Sequence, residues 1–74
     1  MKVADISVGD RLENYRLGVI YVVTEIRPCG SCPCGWGEID YDVMVGPNRA
    51  RKESKTFKEF ERLKYIRREG DRVP

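Results

Sequence analysis

The fold is decided by the run Val19-Ile20-Tyr21-Val22-Val23-Thr24-Glu25-Ile26. Nearly all of its residues are β-branched or aromatic, the side chains that pack best on a pleated strand. Its first half is apolar on both faces, so we expect a strand covered on both sides. Such a strand lies at the centre of a sheet, or curves sharply and serves two sheets of a small barrel. Arg27-Pro28 ends it, because proline cannot donate to a sheet ladder.

A shorter strand is predicted upstream of this run. Residues 6–12 begin with alternating apolar and polar side chains, and Gly9-Asp10 is a turn signal. Asn14-Tyr15-Arg16-Leu17-Gly18 supplies a second turn, because asparagine and glycine tolerate left-handed backbone conformations. A β-hairpin is therefore expected here.

Residues 38–45 form the clearest alternating pattern downstream. One set of side chains is predicted to face the core, namely Ile39, Tyr41, Val43 and Val45. The other set faces solvent, namely Glu38, Asp40, Asp42 and Met44. After the turn Gly46-Pro47-Asn48, residues 49–53 predict a short charged strand, which suits an exposed sheet edge.

A short helix is predicted near the carboxy terminus. Thr56-Phe57-Lys58-Glu59 matches a capping box, in which the threonine and glutamate side chains bond each other's free backbone amides. The helix runs from Phe57 to about Leu63, with its apolar side chains on one face. Residues 64–67 then predict the last strand.

These elements predict a mainly β fold, a small five-stranded SH3-like antiparallel barrel with one short helix at about 57–63 before the last strand. We expect a single domain over residues 1–74, with a Cys/Gly-rich loop insert at 29–37 and a flexible tail at 69–74. The chain resembles the small SH3-like barrel proteins encoded by bacteriophages and prophages. The residues that carry this resemblance are Val8-Gly9-Asp10, Tyr21-Val22-Val23, Ser54, Phe57, Phe60 and Tyr65-Ile66.

Proteins of that group are mostly without assigned activity, and the cysteine-rich insert departs from their pattern. In SH3-like barrels, exposed aromatic side chains in neighbouring loops can form a peptide or methyl-lysine site. Tyr41 lies on the predicted inward face, so Tyr15 and Trp36 are the aromatic binding candidates. Trp36 fits equally well as a cap on one end of the barrel.

Charge is distributed unevenly along the chain, whose overall net charge is +2. Residues 1–48 carry four basic and seven acidic side chains, whereas residues 49–74 carry ten basic and five acidic ones. A basic surface of this kind can follow nucleic-acid phosphates. The candidate residues are Arg49, Arg51, Lys52, Lys55, Lys58, Arg62, Arg67 and Arg68. A merely solvated face is the other interpretation, because four glutamates interrupt the pattern.

Cys29, Cys32 and Cys34 form a C-x-x-C-x-C array. Two thiolates at this spacing can bind one zinc ion, but zinc needs four ligands and the chain has no histidine. The fourth ligand would come from water, another copy of the chain, or a carboxylate of Glu38, Asp40 or Asp42. A redox dithiol and plain reduced cysteines stay open as alternatives, although glycine and proline disfavour the helix that a redox motif usually precedes.

We therefore expect a non-enzymatic, cytoplasmic binding protein. No apolar run reaches the length of a signal peptide or a membrane span. Without histidine, acid–base catalysis would fall to carboxylates, but Asp40 and Asp42 have no partner motif, and no glycine-rich phosphate loop is present. The first hypothesis is a phage or mobile-element accessory protein that docks on a host protein or nucleoprotein complex, as an inhibitor of a defence or gene-expression machine. The alternatives are nucleic-acid binding by the basic third, and zinc or redox chemistry at the cysteines.

Overall fold

The computed structural model describes residues 1–28 and 37–70. Their elements are a 3-10 turn at Val3–Asp5, β1 (Arg11–Asn14), β2 (Val19–Arg27), β3 (Glu38–Val45), β4 (Asn48–Thr56), α1 (Phe57–Glu61) and β5 (Ile66–Arg68). Within this part of the chain, the five strands form one sheet in the order β4-β3-β2-β1-β5, and every neighbouring pair is antiparallel. The predicted mainly β chain with one short helix before the last strand is confirmed.

The sheet does not close into a barrel within the described residues. β4 and β5 are its two edges and do not pair with each other. β5 has only three residues, and all three pair with β1. Closure requires hydrogen-bonded neighbours all the way round, so the prediction of a closed barrel is corrected to an open five-stranded sheet.

β2 is the central strand, as its apolar character predicted. Its residues 19–22 pair with β1, and residues 20–27 pair with β3. The register with β3 shifts around Thr24, and the shift keeps Ile26 opposite Ile39. Because side chains alternate between the two faces of a strand, such a bulge decides which of them face the core.

The core lies between one face of the sheet and α1. It consists of Val3, Ile6, Leu12, Tyr21, Val23, Ile39, Tyr41, Val43 and Phe60. The prediction was wrong for Val45, which is 53% exposed. Val45 is the last residue of β3. α1 begins at the other end of β3, beside its first residue, Glu38, which pairs with Thr56.

Asp40 is the second correction on β3. It was predicted to face solvent, yet it is only 8% exposed. The side chains of Arg27 and Ser54, which donate hydrogen bonds to its carboxylate from the neighbouring strands, cover it. A buried carboxylate is tolerated when it is paired in this way.

Four elements have bounds that differ from the sequence prediction. β5 spans Ile66–Arg68 and not residues 64–67. β1 begins at Arg11 and not near Ile6, because residues 7–10 form a turn in which the Asp10 amide donates to the Ser7 carbonyl at 3.0 Å. β4 is longer than expected, since every residue of β3 has a partner on it. The helix ends at Glu61 and not at Leu63, although Leu63 still packs against the core.

The predicted capping box is confirmed at the start of α1. The Glu59 amide donates to Thr56 Oγ1 at 3.1 Å, and the Thr56 amide donates to Glu59 Oε1 at 3.0 Å. These bonds lower the pKa of Glu59.

No helix within residues 1–28 and 37–70 has the length and apolar character that a membrane span needs.

Replacing Thr56 by alanine should lower the free energy of unfolding by about 1 kcal/mol, because the first turn of α1 loses its hydroxyl acceptor. Urea denaturation followed by circular dichroism measures this loss. The control is Thr56→Ser, which keeps the hydroxyl and should stay close to the wild type. A Thr56→Ser loss as large as that of Thr56→Ala would show that the hydrogen bond is not the cause.

Candidate binding surfaces

Two exposed tyrosines meet at one end of the sheet, where the β1–β2 turn lies beside the residue that precedes β5. The rings of Tyr15 and Tyr65 are 5.7 Å apart and stand edge to face, at 89°. Tyr15 is 50% exposed, Tyr65 41% and Leu17 65%. We name Tyr15, Arg16, Leu17, Tyr65 and Arg67 the tyrosine cluster.

The turn that presents this cluster is organised by Asn14, which is buried at the end of β1. Its Oδ1 accepts hydrogen bonds from the amides of Arg16 at 3.1 Å and Leu17 at 3.0 Å. Its Nδ2 donates to the hydroxyl of Tyr21 at 3.3 Å. Asparagine side chains replace backbone acceptors in tight turns in this manner, so the turn is tied to the core by one residue.

Tyr65 adopts a left-handed backbone conformation with φ of +66°. This region is costly for a bulky side chain, and glycine is its usual occupant. The carbonyl of Tyr65 accepts a hydrogen bond from the Tyr15 amide at 3.0 Å, which ties the strained residue to the β1–β2 turn. Strain of this kind concentrates at functional sites.

Two arginines lie over the tyrosine rings. The Cζ atom of Arg16 is 5.0 Å from the centroid of Tyr65, and that of Arg67 is 4.9 Å from the centroid of Tyr15. Arg67 Nε also donates to Glu13 Oε1 at 2.8 Å, so its guanidinium is held from two sides. The contacts are attractive because the ring faces carry negative potential.

Sequence reasoning found only part of this cluster. It selected Tyr15 as an aromatic candidate and Arg67 as a basic one, but it missed Arg16, Leu17 and Tyr65. The pairing of β1 with β5 brings them together, as in the contact between Glu13 and Arg67, which are 54 residues apart in the chain. No local pattern carries that signal.

The predicted basic surface is divided between the two edges of the sheet. Arg67 and Arg68 lie on β5, whereas Arg49, Arg51, Lys52 and Lys55 lie on β4. Arg68 donates to Asp10 Oδ2 at 3.0 Å and to the Asp5 carbonyl. The Ser7 amide and Arg68 lower the pKa of Asp10. The β5 arginines are thus matched by carboxylates.

Fewer of the basic side chains on the β4 edge are paired with carboxylates than on the β5 edge. Arg51 Nε pairs with Glu53 Oε2 at 2.7 Å. Within the described residues, the other three basic side chains of β4 have no salt bridge; they are Arg49, Lys52 and Lys55. Lys58 and Arg62 are exposed on α1 and at its carboxy-terminal cap. Nucleic-acid binding by these residues stays a prediction.

Glu53 joins the β4 edge to the core. Its Oε1 accepts a hydrogen bond of 2.9 Å from the hydroxyl of Tyr41, while Arg51 holds its other oxygen. Arg51 lowers the pKa of Glu53, whereas burial and the neighbouring carboxylate raise the pKa of Tyr41. The single carboxylate of β4 is therefore occupied on both oxygens.

An ion network lies near the Arg27 end of β2, which is the end away from the tyrosine cluster. Arg27 donates to Asp40 through both Nη atoms, at 2.5 and 2.9 Å, and Ser54 donates to the same carboxylate. Glu25 and Glu38 lie 3.4 and 3.7 Å from Arg27. The hydrogen bonds from Ser54 and Arg27 lower the pKa of Asp40 against the effect of burial.

The cysteine candidates Cys29, Cys32 and Cys34, and the aromatic candidate Trp36, lie outside the described residues. The described residues that flank them, Pro28 and Gly37, lie at the other end of β2 from Tyr15. A Cβ atom at Gly37 would lie 2.5 Å from the Phe57 ring and 2.7 Å from the Arg27 carbonyl, so close packing requires glycine there. Asp40, a candidate fourth zinc ligand, already accepts bonds from Arg27 and Ser54.

Within residues 1–28 and 37–70, no group of three or more carboxylates could hold a metal ion. Zinc or redox chemistry at the three cysteines stays a prediction. Comparison of the chain with protein-family models, curated proteins and solved structures finds no match.

Proposed function

We propose that this chain is a non-enzymatic binding protein of the SH3-like type encoded by phages and mobile elements, which docks on a host protein or nucleoprotein complex. Its role would be that of an inhibitor of a defence or gene-expression machine. The observation that carries the binding proposal is the tyrosine cluster, because it exposes two aromatic rings, two guanidinium groups and a leucine on one surface.

The composition of the cluster supports protein binding. Tyrosine and arginine are enriched among the residues that contribute most to protein interfaces. The contacts between Tyr15, Tyr65 and the two arginines hold these side chains before any partner arrives. Side chains that are already ordered lose less conformational entropy on binding, so this surface is suited to tight association.

Strand topology supports the SH3-like part of the proposal. The five antiparallel strands follow the order β4-β3-β2-β1-β5, and the short helix lies between β4 and β5. The long central strand pairs with β1 through its first half and with β3 along most of its length.

The test starts with affinity purification from the native host, followed by calorimetry with the purified partner. Tyr15→Ala and Tyr65→Ala should each weaken binding about tenfold or more, as expected of central interface aromatics. Val8→Ala is the control, since Val8 is an apolar residue outside the tyrosine cluster and, at 61%, is more exposed than Tyr15 or Tyr65. Both tyrosine variants should give the circular dichroism spectrum of the wild type.

Unchanged affinity of both tyrosine variants would exclude the tyrosine cluster as the contact surface. Loss of binding by Val8→Ala alone would place the contact elsewhere. If no host protein is retained by the wild type at a salt concentration that removes nonspecific contacts, the docking proposal itself fails.

A further inference from the structure

The free edge of β4 is a second surface, separate from the tyrosine cluster. β4 has nine residues and, within residues 1–28 and 37–70, pairs only with β3, on one side. The strand from Asn48 to Thr56 contains neither proline nor glycine, and its one irregularity is the bulge at Ala50, after which residues 51–56 pair with β3 in continuous register. An edge strand of this length presents a row of unpaired backbone donors and acceptors, to which another strand can add.

Basic side chains flank this edge on both faces of the sheet. Arg49 lies opposite Met44 and Lys52 opposite Asp42, which places them on one face. Arg51 lies opposite Val43 and Lys55 opposite Ile39, which places them on the other face. A strand added in the plane of the sheet would therefore run between two rows of positive charge.

Among the four basic side chains of β4, only Arg51 forms a salt bridge with a carboxylate of the same strand within the described residues. Its one carboxylate, Glu53, is held by Arg51 at 2.7 Å and by the Tyr41 hydroxyl at 2.9 Å. Within the described part of the chain, Arg49, Lys52 and Lys55 have no salt bridge. The complement of this edge is an extended segment with carboxylates on both of its faces.

We propose that the β4 edge binds an acidic, extended segment of a partner protein, which adds to the sheet as a sixth strand. The site goes beyond the tyrosine cluster and does not depend on it, because none of the residues of the cluster belongs to β4. A partner that carries an acidic strand could also occupy both surfaces at once.

The charge pattern disfavours two other occupants. A second copy paired through its own β4 would bring the basic rows of the two chains together, and like charges directly opposite one another are destabilising. A nucleic acid is held by cations that follow its phosphates along one surface, whereas those of β4 point to both faces of the sheet. An acidic strand can form hydrogen bonds with the free backbone groups of β4 and can place carboxylates beside the basic side chains on both faces.

The probe is an acetylated and amidated nonapeptide of two glutamates followed by one threonine, repeated three times, which matches the nine residues of β4. Its glutamates fall on both faces of an extended chain. Titrated into the full chain labelled with ¹⁵N, it should shift the amides of residues 48–56 and protect them from hydrogen exchange. The same peptide with glutamine in place of glutamate should bind much more weakly.

Two charge reversals test the two faces separately. Lys52→Glu and Lys55→Glu should each weaken peptide binding about fivefold, the effect of converting one exposed attraction into a repulsion. Lys64→Glu, a reversal at an exposed lysine outside β4, should stay within about twofold of the wild type. Two further peptides carry methyl groups on alternate backbone nitrogens, one on the odd-numbered residues and one on the even-numbered residues. The peptide whose methylated nitrogens face β4 should lose binding.

Several results would overturn the proposal. Equal binding of both methylated peptides would mean that no strand is added, and an effect of only one lysine would mean a one-sided contact. A nine-nucleotide oligothymidine that shifts the same amides and binds more tightly than the peptide would assign the edge to nucleic acid. Concentration-dependent dimers that protect residues 48–56 would assign it to a second copy.

Discussion

Replacing Phe60 by alanine should lower the free energy of unfolding by about 3–5 kcal/mol, the usual cost of removing a buried phenylalanine. Phe60 is 1% exposed, and its ring lies 5.6 Å from that of Tyr41, which is itself 0% exposed. α1 has only five residues and cannot be stable alone. The substitution therefore removes the contact that holds the helix on the sheet. A domain of this size has a total free energy of unfolding of about 4–11 kcal/mol, so partial unfolding at room temperature is expected.

Chemical denaturation measures this loss, with Arg62→Ala as the control. Arg62 is exposed at the cap of the same helix and should change stability by less than about 0.5 kcal/mol. A Phe60→Ala variant as stable as Arg62→Ala would mean that α1 does not depend on its buried ring.

Asp40→Asn should lower the free energy of unfolding by about 2 kcal/mol near pH 7, because charge-assisted hydrogen bonds from Arg27 and Ser54 are weakened. The difference should depend on pH. The folded-state pKa of Asp40 lies below its ordinary value of 3.8. The stabilisation of the folded state by ionised Asp40 is therefore fully present above the ordinary pKa of 3.8 and is lost as pH falls through the folded-state pKa. The wild-type and Asp40→Asn curves should converge in acid.

Thermal and urea denaturation between pH 2 and pH 7 give this comparison. Glu25→Gln is the matched control, since Glu25 contacts the same Arg27 at 3.4 Å but is 58% exposed. An exposed pair of this kind contributes little. A difference between wild type and Asp40→Asn that persists below the folded-state pKa would indicate lost packing and not a lost ion pair.

Local patterns predicted much of the fold. The β-branched run at 19–26 became the central strand, and the sequence from Thr56 to Glu59 became a capped helix start. Both depend on interactions between residues a few positions apart, which a sequence shows directly. The prediction was wrong for Val45 and Asp40, because burial at those positions depends on where α1 begins and on which side chains the neighbouring strands supply.

The candidate surfaces were less predictable than the fold. The sequence showed Tyr15 as exposed and placed the basic residues in the last third of the chain. It could not show that Tyr65 takes a left-handed conformation beside Tyr15, nor that Arg67 and Arg68 pair with carboxylates of the first fifteen residues. Those contacts exist only because β5 returns to pair with β1.

By itself, then, the sequence determined the types of the elements, their order and the apolar face of the helix, because alternation, capping and turn chemistry act over a few residues. Three features follow from tertiary contacts: the sheet formed by the described residues is open, the basic residues separate onto two edges, and two tyrosines and two arginines meet at one end. The reason is physical: strand order and register are set by contacts between residues far apart in the chain, whose combined packing no local pattern encodes.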